Sequence, residues 1–541
     1  MNRALLYART IPTLRPTQII GRLWRVVHKP RIDASPAPRR RADVNWTVGP
    51  RRERSLVGRD RVRLLGRERE IAGADDWNDA RESKLWLYQL HYHDDLVAED
   101  AAERAAWHDR WIGRWIQENP PGEGNGWEPY PLSIRVVRWI QWALAGGRIS
   151  PEAVHSLAVQ TRYLRDSLEH HLLGNHLFAN AKAIVFAGLF FEGREADAWL
   201  QRGTELVARE LREQVLADGG HFERSPMYHC LFLEDLLDLS NLIRGLEHAL
   251  PARRRGLPDE LNETIGRMRR WMRAMLHPDG AIPFFNDAAF GMAPESSELE
   301  AYARRLEFGP GIAPGDGVIE LAESGYVRLQ SGAAFVICDV GELGPRYLLG
   351  HAHADTLSFE ASFFGERWFV NSGTSLYGES AERVRQRGTA AHNTVEVDGA
   401  DSSEVWSGFR VARRAKPFDL SITDEARVLT VRCSHDGYER LPGRVRHSRE
   451  WRLDDGSLSI VDRLVGEYTS ARGALHVHPD VRIERAGAEL RRGPLAVRLE
   501  QTGGRLRCED GTWHPSFGRT VPNLCLRTTL QSPTLHTRLG W

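Results

Sequence analysis

The chain reads as a multidomain α-then-β protein, a half built of helical hairpins followed by an antiparallel β-sandwich. Three observations predict this. At 541 residues the chain exceeds what one ordinary hydrophobic core organises. From about Trp77 to about Leu306 apolar residues recur at helical spacing, and after the Gly/Pro-rich stretch Phe308–Gly317 the period changes to two.

Residues 1–70 are rich in Arg and Pro, with one or two weak amphipathic helices, and read as an arm packed on the rest. Residues 71–310 carry the helical signal. In EAVHSLAVQTRYLRDSLEHHLL, Leu157, Leu164, Leu168 and Leu172 share one face. Short breaks such as NPPGEGNG and LADGG separate similar runs, so consecutive helices pair antiparallel. Residues 318–541 alternate or run β-branched between turn residues, as in HNTVEVDG and REWRLDDGSLSIVDRLVG.

Composition excludes several classes. Basic and acidic residues balance at 73 each, so no net charge draws the chain to nucleic acid or a membrane surface. The five cysteines are scattered and never form CxxC, against a disulfide framework or a thiolate metal site. No segment has the apolar length of a membrane span. The first 31 residues lack the pattern of a secretory signal, which points to a cytoplasmic protein.

Three polar clusters interrupt the apolar frame. In HHLLGNHLFANAKA, Asn175 and His176 follow a glycine at a helix break, an arrangement also used for plain capping, and Asn180 lies one turn on. In DGGHFERSPMYHC, Ser225 is a good N-cap and Pro226 a good first residue, so Tyr228 falls in the first helical turn. Unpaired N–H groups there favour an anionic phenolate or ligand, although a capped helix with a half-buried tyrosine explains the pattern too. The third cluster is YLLGHAHADTLSFE. If extended, it puts His351, His353 and Asp355 on one face, where a solvated turn is the plainer alternative. His392 opens a later strand, and Asn371 ends the one between. Two imidazoles and an oxygen from adjacent strands suit a Zn²⁺-like ion.

Together, GNHLFANAKA, DGGHFERSPMYH, GHAHADTLSFE, NSGT and AAHNTVEVDG, with Arg135 in GWEPYPLSIRVVRWI, resemble the heparinase II/III superfamily of polysaccharide lyases. The resemblance implies an (α/α) toroid, a β-sandwich, a cleft between them, and cleavage of an acidic, uronic-acid polysaccharide by β-elimination. Asn175 and His176 match the pair that neutralises the uronate carboxylate. Tyr228 matches the base and acid, His351 the cleft histidine, and His353 and His392 the ligands of a structural zinc. Many members carry Asp where Asn371 stands, and a neutral amide is a weaker ligand. Asn180, His221, Glu223, Arg224 and Arg135 are expected to support or line the substrate site. No organic cofactor is expected, and the chain is read as a monomer or homodimer. Superfamily members are often exported, so a periplasmic or secreted location competes with the cytoplasmic one.

Three rivals stand beside the lyase. A uronyl C5-epimerase begins with the same proton abstraction. A toroidal glycoside hydrolase would need a carboxylate pair from Glu223, Asp218 and Asp287. A non-catalytic glycan binder would leave Tyr228, His176 and His351 without work.

Overall fold

A computed structural model describes residues 3–42, 44–484 and 488–541. The helical half runs from Lys84–Tyr92 through Pro129–Leu144, Gly174–Phe190, Arg194–Gln214 and Pro226–Ile243 to Ser296–Arg305. Its helix starts are set locally. Ser83, Ser150 and Ser225 each accept a hydrogen bond from the backbone N–H three residues on, and Pro129, Pro151 and Pro226 open their helices. Gly174–Phe190 and Arg194–Gln214 pack so closely that a Cβ on Gly188 would lie 2.7 Å from the Leu200 nitrogen. Trp77, Trp115, Trp139 and Trp199 sit fully buried in the core these helices share.

The C-terminal half holds two large antiparallel sheets of nine and eight strands among the described residues. Alternation is plain in Arg446–Leu453, where His447, Arg449, Trp451 and Leu453 are buried. Val327, Leu329 and Val336 of one sheet and Val431, Trp451 and Ile460 of the other belong to one apolar core.

Residues 3–70 differ from the sequence reading. Besides helices Arg3–Thr10 and Pro16–Val27, they contain a three-stranded sheet, Leu56–Gly58, Arg61–Leu64 and Arg67–Glu70. Its period-two signal is masked by paired charges, Arg61 opposite Glu70 and Arg63 opposite Glu68. The segment touches both halves: Arg9 pairs with Glu404 at 2.9 Å, Gln18 Nε2 donates to the Tyr347 carbonyl, and Arg52 pairs with Glu234.

None of the five cysteines is in a disulfide. No helix among the described residues is long and apolar enough to cross a membrane.

Candidate active site

A cleft of about 1620 Å³ opens between the two halves and is also lined by residues of the N-terminal segment. Asn175, His176, Glu223, Tyr228 and His351 all line it.

The chain reaches this arrangement through local devices. Leu173 (φ 66°) and Gly174 (φ 55°) turn the backbone through the left-handed region, and the helix carrying Asn175 and His176 begins there. A side chain at Gly174 would run into Leu348 at 2.4 Å, so glycine is required. Ser225 Oγ accepts from Tyr228 N at 3.2 Å and donates to the Asp287 carbonyl at 2.5 Å, tying the helix start to the floor of the cleft.

Tyr228 is 8% exposed, its hydroxyl 3.0 Å from that of Tyr377 and its ring 4.1 Å from the His351 ring. Burial, then Tyr377, holds its phenol well above the usual tyrosine range, so the resting group is neutral. His351 Nδ1 lies 2.8 Å from Asp287 Oδ2, and its Nε2 is 3.8 Å from Glu223 Oε2. Asp287 also meets His353 Nε2 at 2.8 Å and both terminal nitrogens of Arg383. Burial opposes its charge, but Arg383 and the two histidines hold its carboxyl well below the ordinary range. An ionised Asp287 accepts Nδ1–H of His351, so in the neutral imidazole the lone pair lies on Nε2.

Glu223 has the opposite surroundings. It is 3% exposed, neither carboxylate oxygen has a side-chain hydrogen-bond partner, and burial pushes its carboxyl up despite His351, His176 and the Asn175 backbone N–H nearby. His176, in contact with the Tyr130 ring, has Nδ1 3.1 Å from Glu169 Oε1. Burial works against its charge, yet Glu169 outweighs it and raises the histidine above its usual pKa.

Several sequence expectations are corrected. Asn180 has the supporting role among its two expected ones and does not line the cleft: fully buried, it accepts from Glu169 N and donates to Ser133 Oγ and Glu169 Oε2, holding the carboxylate that serves His176. Arg135 lies in the helical core, stacked 3.7 Å over Trp115 and donating to Gln160 and the His91 and Gly126 carbonyls. His221 is buried against Phe222 and Phe232, with Nε2 3.3 Å from Gln214. Arg224 turns away from the cleft to the Glu342 and Glu323 carbonyls. The 347–358 stretch is a loop, with the strand starting at Phe359, because His351 and His353 both bend towards Asp287. Of His351, His353 and Asp355, only His351 lines the cleft. Asp355 is buried and accepts from Asn286 N, with burial raising its pKa to about 6.

Three residues escaped sequence reasoning: Tyr377, Arg383 and Glu169, the carboxylate that serves His176. Tyr377 follows NSGTSL. Arg383 lies in the first turn of the short helix Ala381–Arg387, capped by Ser380, where RVRQR looks like solvated charge but Arg383 and Arg387 are fully buried.

His353 Nδ1 and His392 Nε2 face each other at 3.2 Å. Asn371 Oδ1 accepts from Asn393 N. Burial keeps both imidazoles neutral, with His353 lowered to about 4 and His392 further. Among the described residues no group of three or more His, Cys, Asp or Glu side chains is placed to hold a metal. The facing distance fits two ligands of one tetrahedral ion, about 3.3 Å apart for Zn–N bonds of about 2.0–2.1 Å. It fits equally a chain in which His392 donates to His353 and His353 donates to Asp287.

Comparison with known proteins agrees across both halves. The family model described as Heparinase II/III N-terminus matches residues 73–307, and Heparinase II/III-like, C-terminal matches 313–541. A heparin-sulfate lyase of Bacteroides stercoris is 27% identical over 384 residues, 65% of this chain and 53% of that protein. FtsZ-localized protein C of Caulobacter vibrioides is 28% identical over 469 residues, 78% of this chain and 75% of that protein. The chain thus spans about half the length of the curated heparin-sulfate lyases it matches. A crystal structure of heparinase III superposes with a TM-score of 0.69 at 18% identity, covering 86% of this chain and 78% of that one, a similarity of fold.

Proposed function

We propose that this chain, which belongs to the heparinase II/III-like family, is a lyase that cleaves a uronic-acid polysaccharide by β-elimination. The helical half is read as an (α/α) toroid over residues 71–310 and the paired sheets as a β-sandwich over 318–541. The observation that carries the reading is the meeting of Asn175, His176, Tyr228 and His351 in one cleft.

The chemistry follows from their surroundings. A uronate carboxylate would take hydrogen bonds from the Asn175 amide and the His176 imidazolium that Glu169 sustains. As C5–H breaks, negative charge grows on that carboxylate, and donors already in place stabilise it. The Tyr228 proton passes to Nε2 of His351, which Asp287 keeps free to accept it. The phenolate then takes the C5 proton and delivers it to O4 as the C4–O4 bond breaks, leaving a C4–C5 double bond. Atoms and charge balance within the site: Tyr228 is left as phenolate beside imidazolium, and return of the His351 proton restores the neutral resting pair.

A hydrolase gains no support. Asp287 is consumed by Arg383 and two histidines, and Asp218 accepts from Ser324 N and Oγ. An epimerase shares the first step and differs only in product. His353, His392 and Asn371 would hold a divalent ion, most suitably Zn²⁺, in a structural role beneath His351. Incubation with a panel of uronic-acid polysaccharides should yield an ultraviolet-absorbing unsaturated uronate from at least one. A change in uronate configuration without new absorbance would make it an epimerase.

A further inference from the structure

The helix Pro16–Val27 is inside out. Amphipathic surface helices bury their apolar stripe and show their polar face to water. Here Gln18 is 1% exposed and donates to the Tyr347 carbonyl, Arg25 lies 2.6 Å from His171 Nε2, and Gly21 is so close to His171 that a Cβ there would meet the imidazole-bearing carbon at 2.9 Å. The body of the protein therefore takes the polar and small residues. The opposite face carries Ile20 (64% exposed), Leu23 (67%), Trp24 (58%) and Val27 (78%), at the i, i+3, i+4, i+7 spacing of one continuous stripe. Ile19 and Val26 widen it, and Leu5 and Ile11 extend the exposed apolar surface along the preceding segment. These residues supply half of the large, exposed apolar side chains among the described residues.

Charge indicates what covers the stripe. Seven basic residues and no acidic one occur between Arg3 and Arg31, in a chain whose total charge is zero. Arg3, Arg9 and Arg15 pair with Glu379, Glu404 and Glu213 of the body, and Arg25 is engaged by His171. Lys29 and Arg31 are exposed and belong to no ion pair among the described residues. An apolar stripe beside uncompensated cations is the pattern of a helix lying in the plane of an anionic bilayer, with its apolar side chains about 5–10 Å into the acyl boundary. A protein groove would match the stripe but gives no reason for the one-signed charge.

We propose that Pro16–Val27 is a peripheral membrane-docking helix that takes an anionic lipid surface. Gln18 and Arg22 of this helix also line the cleft, so docking sets the cleft mouth close to the lipid. The test is sedimentation of the full-length chain with phosphatidylglycerol vesicles and with phosphatidylcholine vesicles, for wild type and for the double variant Leu23→Asp/Trp24→Asp. Neither residue lines the cleft, and both are exposed, so the melting temperature should stay unchanged. Wild type should pellet with phosphatidylglycerol and far less with phosphatidylcholine, and the variant should bind at least about tenfold more weakly. The proposal is overturned if wild type stays in the supernatant, if it pellets equally with both lipids, or if the double variant pellets as wild type does. It is equally overturned if the stripe instead mediates a concentration-dependent dimer that the variant abolishes while vesicles capture neither protein. Turnover of soluble polysaccharide is expected to be the same in both proteins, which separates this result from the fate of the lyase reading.

Discussion

Asp287 and Glu223 are two carboxylates buried beside the same imidazole, and the protein treats them in opposite ways. Asp287 is saturated by Arg383, His351 and His353 and stays ionised. Glu223, with Nε2 of His351 3.8 Å away, has no side-chain hydrogen-bond partner and a raised pKa. The difference separates scaffold from reagent. A carboxylate with every oxygen engaged fixes geometry and tautomer, whereas one left open at a cleft is available to substrate.

The largest effect should come from breaking the saturated side. Asp287→Ala leaves Arg383 buried without its counter-charge, and urea denaturation should show a loss of about 3–5 kcal/mol. Retention of wild-type stability would mean that water reaches Arg383 and the ion pair is not the organising feature. In the wild type this carboxyl, depressed in the folded state, contributes stability above the ordinary carboxylate range, and that stability is lost as pH falls through its lower folded value.

Glu223 carries the opposite sign. Its folded pKa is raised, so it favours folding below its unfolded pKa of about 4.3 and loses that contribution as pH rises through the folded value. Glu223→Gln should therefore stabilise the protein above that window, because it removes a charge that burial disfavours. The gain should vanish in acid. A melting difference independent of pH would show that Glu223 is not charged when buried.

Next in size is the other carboxylate–histidine pair. Glu169→Gln removes the charge that raises His176, and the alkaline limb of the kcat/KM profile should move to lower pH. An unmoved limb would take His176 out of the role of imidazolium donor. The smallest effect concerns the facing histidines. Asn371→Asp should raise bound zinc, read by elemental analysis, and lift the melting temperature by a few degrees, because an ion bound only to the folded state stabilises it by mass action. If neither variant nor wild type carries metal and chelator changes nothing, His353 and His392 are a direct hydrogen-bonded pair.

Much of this was legible before any coordinates. Ser225 and Pro226 announce their helix, and with it the place of Tyr228, because capping is a local matter. The switch from period 3.6 to period 2 near Phe308 separates the halves. Long-range pairing was hidden. Nothing near Asp287 in FFNDAAF tells that Arg383, 96 residues later, closes on it. Arg135 failed for a related reason: an arginine in an apolar helix can satisfy its donors on carbonyls and an indole face as well as on a ligand. The N-terminal strands were missed because their alternation is between charges of opposite sign, not between apolar and polar residues.

The central claim is that Tyr228 moves the proton. The measurement that tests it most directly is kcat for Tyr228→Phe on whichever polysaccharide gives unsaturated product, together with calorimetric binding of that polymer to the variant. The substitution keeps the ring against His351 and removes only the hydroxyl that meets Tyr377. Binding should stay near wild type while kcat falls by about 10²–10⁴, the usual worth of a positioned acid–base group. A variant that retains more than about one hundredth of wild-type kcat would show that another group takes the C5 proton.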